Sequence, residues 1–348
     1  MQNQSRLLFC LLQLSSASVF AANLPITIEK NSSGGVAIKV EGRPFAEYVL
    51  DQANKPYLWP VHGPSGKVMT RAYPMQNIDG EQHDHPHHRG ITFGHESIGA
   101  PGWTQGNSTF SGGSDTWAER KTFEADQTNP KKSEEALKRV AMLGSIKHVE
   151  FKELKVEGDK AIILEICEYL DPAQKRYMTE ERRIVFSATP ETRVIDFDQD
   201  FIATDNTVVF SDRKDAGLSI RVPTSLAVDS KQGGQIVNSE GITNNDAWAK
   251  PAKWCDYHGP VDGETVGVAM LNHPTSLHYP TRWHVRTYGL FTANPFAQKQ
   301  FNKEQPESNV EITSGNRLKL RHRFILHTGD EKTAHIAEAF EAYSREAK

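Results

Sequence analysis

The chain has 348 residues, with 40 Lys and Arg against 44 Asp and Glu, a formal net charge of −4 and only three cysteines. No basic block is present, which argues against a phosphate-backbone partner such as DNA or RNA. No apolar run approaches the roughly 20 residues needed to span a bilayer, so no membrane span is expected.

The chain opens on MQNQSRLLFCLLQLSSASVFAA: a positive charge at Arg6, a short apolar stretch and a small-residue end at Ala21 and Ala22. That layout predicts a signal peptide over residues 1–21, a periplasmic or secreted mature protein, and one β-domain over residues 22–348. Cys167 and Cys255 would survive export and could form one disulfide or remain two buried thiols.

Period-two alternation with β-branched residues then marks strands at 35–42, 145–156, 160–170, 182–188, 192–202, 264–271 and 317–328. Short turns between neighbouring strands imply antiparallel pairing. Two segments read as helices, 131–142 and 331–347, the second with Ile336, Phe340 and Tyr343 on one stripe. The expected fold class is all-β, a large antiparallel β-sandwich with a C-terminal helix. The charged stretch 118–139 reads as a polar surface insertion without chemistry.

Six of the 14 histidines fall between His62 and His95, four of them in HDHPHHRG (83–90). Imidazoles near neutrality pass protons and, when neutral, ligate metals, so His85, His87 and His88 are candidates for acid/base work or for a divalent metal at His85 and His87. Rings that merely satisfy a tight turn would give the same pattern. The loop 56–75 offers Trp59, His62, Arg71 and Tyr73, either as a sugar platform or as a plug for the sandwich end. In 245–263, Trp254, Asp256 and Tyr257 mix aromatics with a carboxylate, a makeup that suits a sugar subsite. From Arg282, alternation puts His284, Arg286 and Tyr288 on one face and Trp283 on the other. That polar face lines a cleft or a solvated outer sheet. Asp196, Asp198 and Asp200 share a strand face and read as an outer polar surface rather than a calcium site. There is no G-x-S-x-G elbow, phosphate loop, H-E-x-x-H or dinucleotide fingerprint.

The motifs PYLWPVHGPSGKVMTRAYPM, DHPHHRGITFGH, KDAGLSIRV, WCDYHG and NHPTSLHYPTRWHVRTYGLFTANPF resemble a family of exported bacterial proteins labelled PmoA-like. That family is distantly similar to the galactose-mutarotase-like "supersandwich" proteins. The resemblance implies a sugar cleft on one sheet and a general-acid histidine corresponding to His87, His88 or His284; no glutamate here matches the epimerase base residue by residue. The combined expectation is a carbohydrate-active hydrolase, lyase or epimerase with a carbohydrate substrate. His85, His87, His88, His284 and Asp256 are its catalytic candidates, with Asp84 and Asp215 as other carboxylate partners. Arg89 and Arg286 would hold a carboxylate, while Trp59, Trp254, Tyr257 and Trp283 would form the ring platform. His62, Arg71, His95, Lys214, His273, Tyr288 and Asn294 are further substrate contacts. A non-catalytic sugar-binding protein uses the same cleft. A metal enzyme would pair His85 and His87 with His95 or His284.

Overall fold

The computed structural model describes residues 22–103 and 113–347, so the expected signal peptide lies outside the described residues. Two eight-stranded antiparallel sheets carry the fold. In spatial order the first comprises Ile26–Lys30, Val36–Val40, Arg43–Val49, Tyr57–Val61, Ile91–His95, Ala216–Arg221, Leu290–Asn294 and Arg282–Val285. The second runs Gln235–Asn238, Trp254–Val261, Glu264–Asn272, Arg317–Thr328, Thr192–Ile202, Arg176–Ala188, Lys160–Leu170 and Ser145–Glu157. A four-stranded sheet of short segments joins Val310–Ile312, Val208–Phe210, Ile98–Gly99 and Gly113–Ser114.

Alternation drives this arrangement. In Val36–Val40 every second residue is buried, and Ile163 and Cys167 alternate inward in the same way. The inward faces of both large sheets merge into one apolar cluster in which Phe45 meets Phe186 edge-on at 5.6 Å and Phe93 meets Phe201 at 4.9 Å. A polar joint crosses this core. Tyr48 of the first sheet donates to Glu165 at 2.5 Å, Arg182 donates to Tyr48 at 2.7 Å, and Arg182 grips Glu180 with two bonds of 2.8 and 2.9 Å. Tyr169 and Gln199 donate to the same Glu180 carboxylate, so the buried oxygens are hydrogen-bonded. Cys167 and Cys255 are both free and buried.

The helices are shorter than the sequence predicts. Ser133–Ala141 replaces 131–142, and Ile336–Tyr343 replaces 331–347, because Asp330 accepts from the Thr333 N–H and ties residues 330–333 into a turn. The expected stripe is kept: Ile336, Phe340 and Tyr343 pack on Trp254, Leu271 and Ile325 of the second sheet's outer face. The acidic stripe on that face is an ionic ladder: Arg323 binds Asp196 at 2.6 and 2.9 Å, and Arg321 binds Asp200 at 2.5 Å. The strand Ser145–Glu157 forms one edge of the sheet, largely exposed and carrying two register shifts against its neighbour. No helix among the described residues is long and apolar enough to cross a membrane.

Candidate functional site

On four adjacent strands of the first sheet, Ile91, Phe93, Leu218, Ile220, Phe291, Ala293, Trp283 and Val285 point into the core. The opposite face therefore carries Thr92, Ser219, Thr292 and His284, which are successive register partners and form one polar row across the sheet. Gly94 and Gly217 pair in the next row. All four polar residues are buried although they face away from the core, so loops roof this face. One roof segment is Asp115–Ala118: a Cβ on Gly94 would lie 2.9 Å from the Thr116 carbonyl oxygen. On the floor, the buried Thr292 hydroxyl has no hydrogen-bond partner among the described residues.

A closed circuit of contacts surrounds the row. His85, at φ 43, turns its ring parallel to those of His88 at 4.9 Å and Tyr288 at 5.0 Å. Beneath it Asp84 accepts from Arg71 at 2.5 Å and Arg221 at 2.7 Å, and lies 2.5 Å from His85 Nδ1. Burial alone would raise Asp84, but the hydrogen bond to His85 and the two arginines hold it well below the usual carboxylate range. The Arg221 guanidinium sits 4.8 Å from the Tyr288 ring centre. Arg286 lies 5.7 Å from Tyr288 and 5.8 Å from Trp248, and Trp248 meets His284 at 6.4 Å. His284 Nδ1 is 3.8 Å from Asp215, whose carbonyl accepts from the Glu96 N–H. Glu96 pairs with Arg139 at 3.2 Å, and Arg139 with Asp115 at 3.4 Å. Asp115 caps the Trp117 and Ala118 N–H groups, and Trp117 returns to His88 at 5.5 Å.

The protonation states within this circuit differ sharply. His284 donates from Nδ1 to the Lys214 carbonyl at 2.7 Å, leaving Nε2 as its basic atom, and burial pushes the imidazole down to about 4 against the pull of Asp215. Burial, reinforced by Asp215 and Asp115, pushes Glu96 up to about 7 despite Arg139 and Arg213. Arg221 can only donate, so His88 accepts at Nδ1 and keeps its proton on Nε2. Burial and neighbouring positive groups hold His87 and His88 neutral, well below the ordinary imidazole range. One circuit thus holds a carboxyl that keeps its proton to about 7 and an imidazole that stays neutral down to about 4.

The sequence matches a family of unknown function, DUF6807, over residues 35–341. The chain belongs to this family. No curated protein matches it. Among solved structures it is similar to the Slr1438 protein of Synechocystis sp. PCC 6803, at 10% identity and a TM-score of 0.39, covering 89% of this chain and 96% of that one. It is similar to galactose 1-epimerase from Lactobacillus acidophilus NCFM at 7% identity and a TM-score of 0.40, covering 88% and 99%. A GH36 α-galactosidase, AgaA from Geobacillus stearothermophilus, matches at 8% identity and a TM-score of 0.40, covering 88% of this chain and 41% of that one.

In this DUF6807 chain the candidates from sequence divide. His85, His87, His88, Lys214, His284, Arg286 and Tyr288 come together around the row, His87 through Thr122 at 3.0 Å and T-shaped packing on His88 at 4.3 Å. Arg71 and Arg89 are near but committed to protein: Arg71 to Asp84 and the His85 carbonyl, Arg89 to both oxygens of Glu119 at 2.8 Å. Asn294 is likewise committed, donating to the Arg213 and Lys214 carbonyls while accepting from Phe296 and Ala297. Tyr257 accepts from the Val228 N–H and donates to carbonyls of the Arg286–Thr287 turn, so it holds the turn that carries Tyr288 rather than a ligand.

Others do not belong. His95 shares the inward face with Ile91 and Phe93, packs edge-on against the stacked rings of Phe210 and Phe296, and is pushed by burial down to about 3, so no metal set can combine it with His85 and His87. Trp283 is core, donating to the Ala252 carbonyl. His273 packs on Tyr343 near the C-terminal helix. Trp254 and Asp256 lie on the outer face of the second sheet. Trp59 is half-buried beside Gly90, and His62 follows the same strand near Phe45; no contact among the described residues joins either to the circuit. The stretch read as a surface insertion instead returns Glu119, Thr122 and Arg139 to the site. Glu96 was missed, although alternation from Thr92 and Gly94 puts it on their face.

Proposed function

We propose that this protein is a carbohydrate-active enzyme working in the roofed cleft on the first sheet, with Glu96 as general acid and His284 Nε2 as general base. One arrangement carries the reading: Asp215 accepts from the Glu96 N–H at 3.0 Å and lies 3.8 Å from His284 Nδ1, which puts a carboxyl pushed up to about 7 and an imidazole pushed down to about 4 in one circuit. The faces of Tyr288 and Trp248 suit the C–H face of a sugar ring, with the hydroxyls of Ser219 and Thr292 below. Arg286 has no carboxylate partner among the described residues and would receive a uronate or a developing negative charge. The leader-like pattern of residues 1–21 supports export.

NMR of a panel of glycosides and uronides with the wild type, Glu96→Gln and His284→Ala tests this. Turnover should fall by about 100-fold to 10,000-fold in either variant. The wild-type rate should decline above pH 7 as Glu96 ionises, and towards pH 4 as His284 becomes protonated. Line broadening with no new product from any sugar would make the chain a binding protein and remove both assignments.

A further inference from the structure

A second cluster lies on the outer face of the second sheet, away from the cleft. Asp256 and His258 alternate along Trp254–Val261 to the same side as Trp254, while Cys255 and Tyr257 point into the core. Glu331 reaches them from the turn before the C-terminal helix. One donor atom each from Asp256, His258 and Glu331 lie within 4.8 Å of one another, the only such group of three or more His, Cys, Asp or Glu side chains among the described residues.

Hydrogen bonding alone does not account for all three. His258 Nδ1 lies 2.6 Å from Asp256 Oδ1 and 3.6 Å from Glu331 Oε2. That nitrogen carries at most one proton, which Asp256 receives, and 3.6 Å leaves Glu331 beyond hydrogen-bond range. Two ligands each about 2.1 Å from one ion stand about 3.0–3.4 Å apart; the two His258 separations of 2.6 and 3.6 Å bracket that range, and the Asp256 and Glu331 oxygens lie within 4.8 Å of each other. The Asp256 carboxylate is fully buried and its second oxygen is 2.8 Å from His327 Nε2, an outer partner of the kind that orients a metal-bound carboxylate. The group also borders a cavity of about 570 Å³ that is lined by Gln235, Asn238, Trp254, His258 and Glu331, leaving room for water to complete the coordination.

We propose that Asp256, His258 and Glu331 bind one divalent transition-metal ion of the zinc or manganese kind, with His327 as a positioning residue. One imidazole and two carboxylates suit such ions, and a double positive charge would neutralise both carboxylates; binding would release to solvent the proton that His258 Nδ1 gives to Asp256. The ion would staple the turn before the C-terminal helix to the sheet.

The test uses the full mature chain, dialysed against chelator and titrated with ZnCl2 and with MnCl2. One ion should be retained per chain after dialysis by elemental analysis, with a higher Tm in saturating metal. Glu331→Gln lies at the rim and should fold yet lose both effects. His327→Gln should weaken affinity by about 10-fold to 100-fold. A double variant His85→Ala, His87→Ala should bind as the wild type does. Absence of retention for both ions, or retention that survives Glu331→Gln and vanishes with the His85 and His87 variant, overturns the assignment.

Discussion

Glu96→Gln should give a protein that is less active yet more stable at alkaline pH. The folded state holds the Glu96 proton up to about pH 7, whereas the unfolded chain releases it near 4.5. Between those values the native state binds more protons than the unfolded state, so this group makes stability fall as pH rises. The interval corresponds to about 3 kcal/mol at about 1.36 kcal/mol per pH unit. Most of that develops between pH 5 and pH 8, about 2.5 kcal/mol by linkage. Glutamine keeps the shape and cannot ionise, although it weakens the contact with Arg139. Urea denaturation of wild type and variant at pH 5 and pH 8 isolates the effect, because titrating groups that do not interact with Glu96 cancel in the double difference. The variant should gain about 2.5 kcal/mol relative to wild type between the two pH values. An offset that is the same at both would mean that Glu96 titrates as an ordinary carboxylate, and its role as proton donor would fall with it.

Arg182→Met should destabilise the fold by about 3–5 kcal/mol in urea titrations, because it leaves the buried Glu180 without its cation and Glu165 with His148 alone; a loss below about 1 kcal/mol would show that the joint is not held as a charged network. Gly217→Ala should strongly lower the yield of folded protein, since its Cβ would lie 2.0 Å from the Ala293 carbonyl oxygen and φ is +116; a wild-type thermal transition in that variant would contradict the close strand approach. Arg286→Ala should weaken binding of a uronate by about tenfold while leaving the neutral sugar nearly unchanged, as read by saturation transfer. Equal losses for both sugars would assign Arg286 to shaping the turn.

Much of the sandwich is legible from alternation alone: the strands at 160–170, 192–202 and 317–328 begin and end where the pattern does. The same rule separates Trp283 from His284 correctly. Extended one strand further, it would have put His95 inside with Phe93 and Glu96 outside with Thr92. What the pattern cannot supply is which sheet a strand joins. Trp254–Val261 resembles the site strands in composition but pairs with Gln235–Asn238 and Glu264–Asn272, which moves Asp256 to another surface. Likewise Glu119 and Thr122 read as a solvated insertion, because their partners Arg89 and His87 are 30 and 35 residues away and only the folded chain brings them together. Arginines that look available for ligands in sequence prove to be held by Asp84 and Glu119.

The edge strand Ser145–Glu157 bears on how the protein behaves when concentrated. A straight, apolar border of this length would offer a row of unpaired peptide groups on which a second molecule could grow a ribbon. Here the border carries Lys152 and Lys155, paired with Glu181, Glu153 and Glu157, and the two register shifts bend it out of line. Both devices discourage strand-by-strand stacking, so the border acts as a built-in guard on colloidal stability. Neutralising the two lysines should leave the fold intact while lowering the concentration at which the protein begins to aggregate.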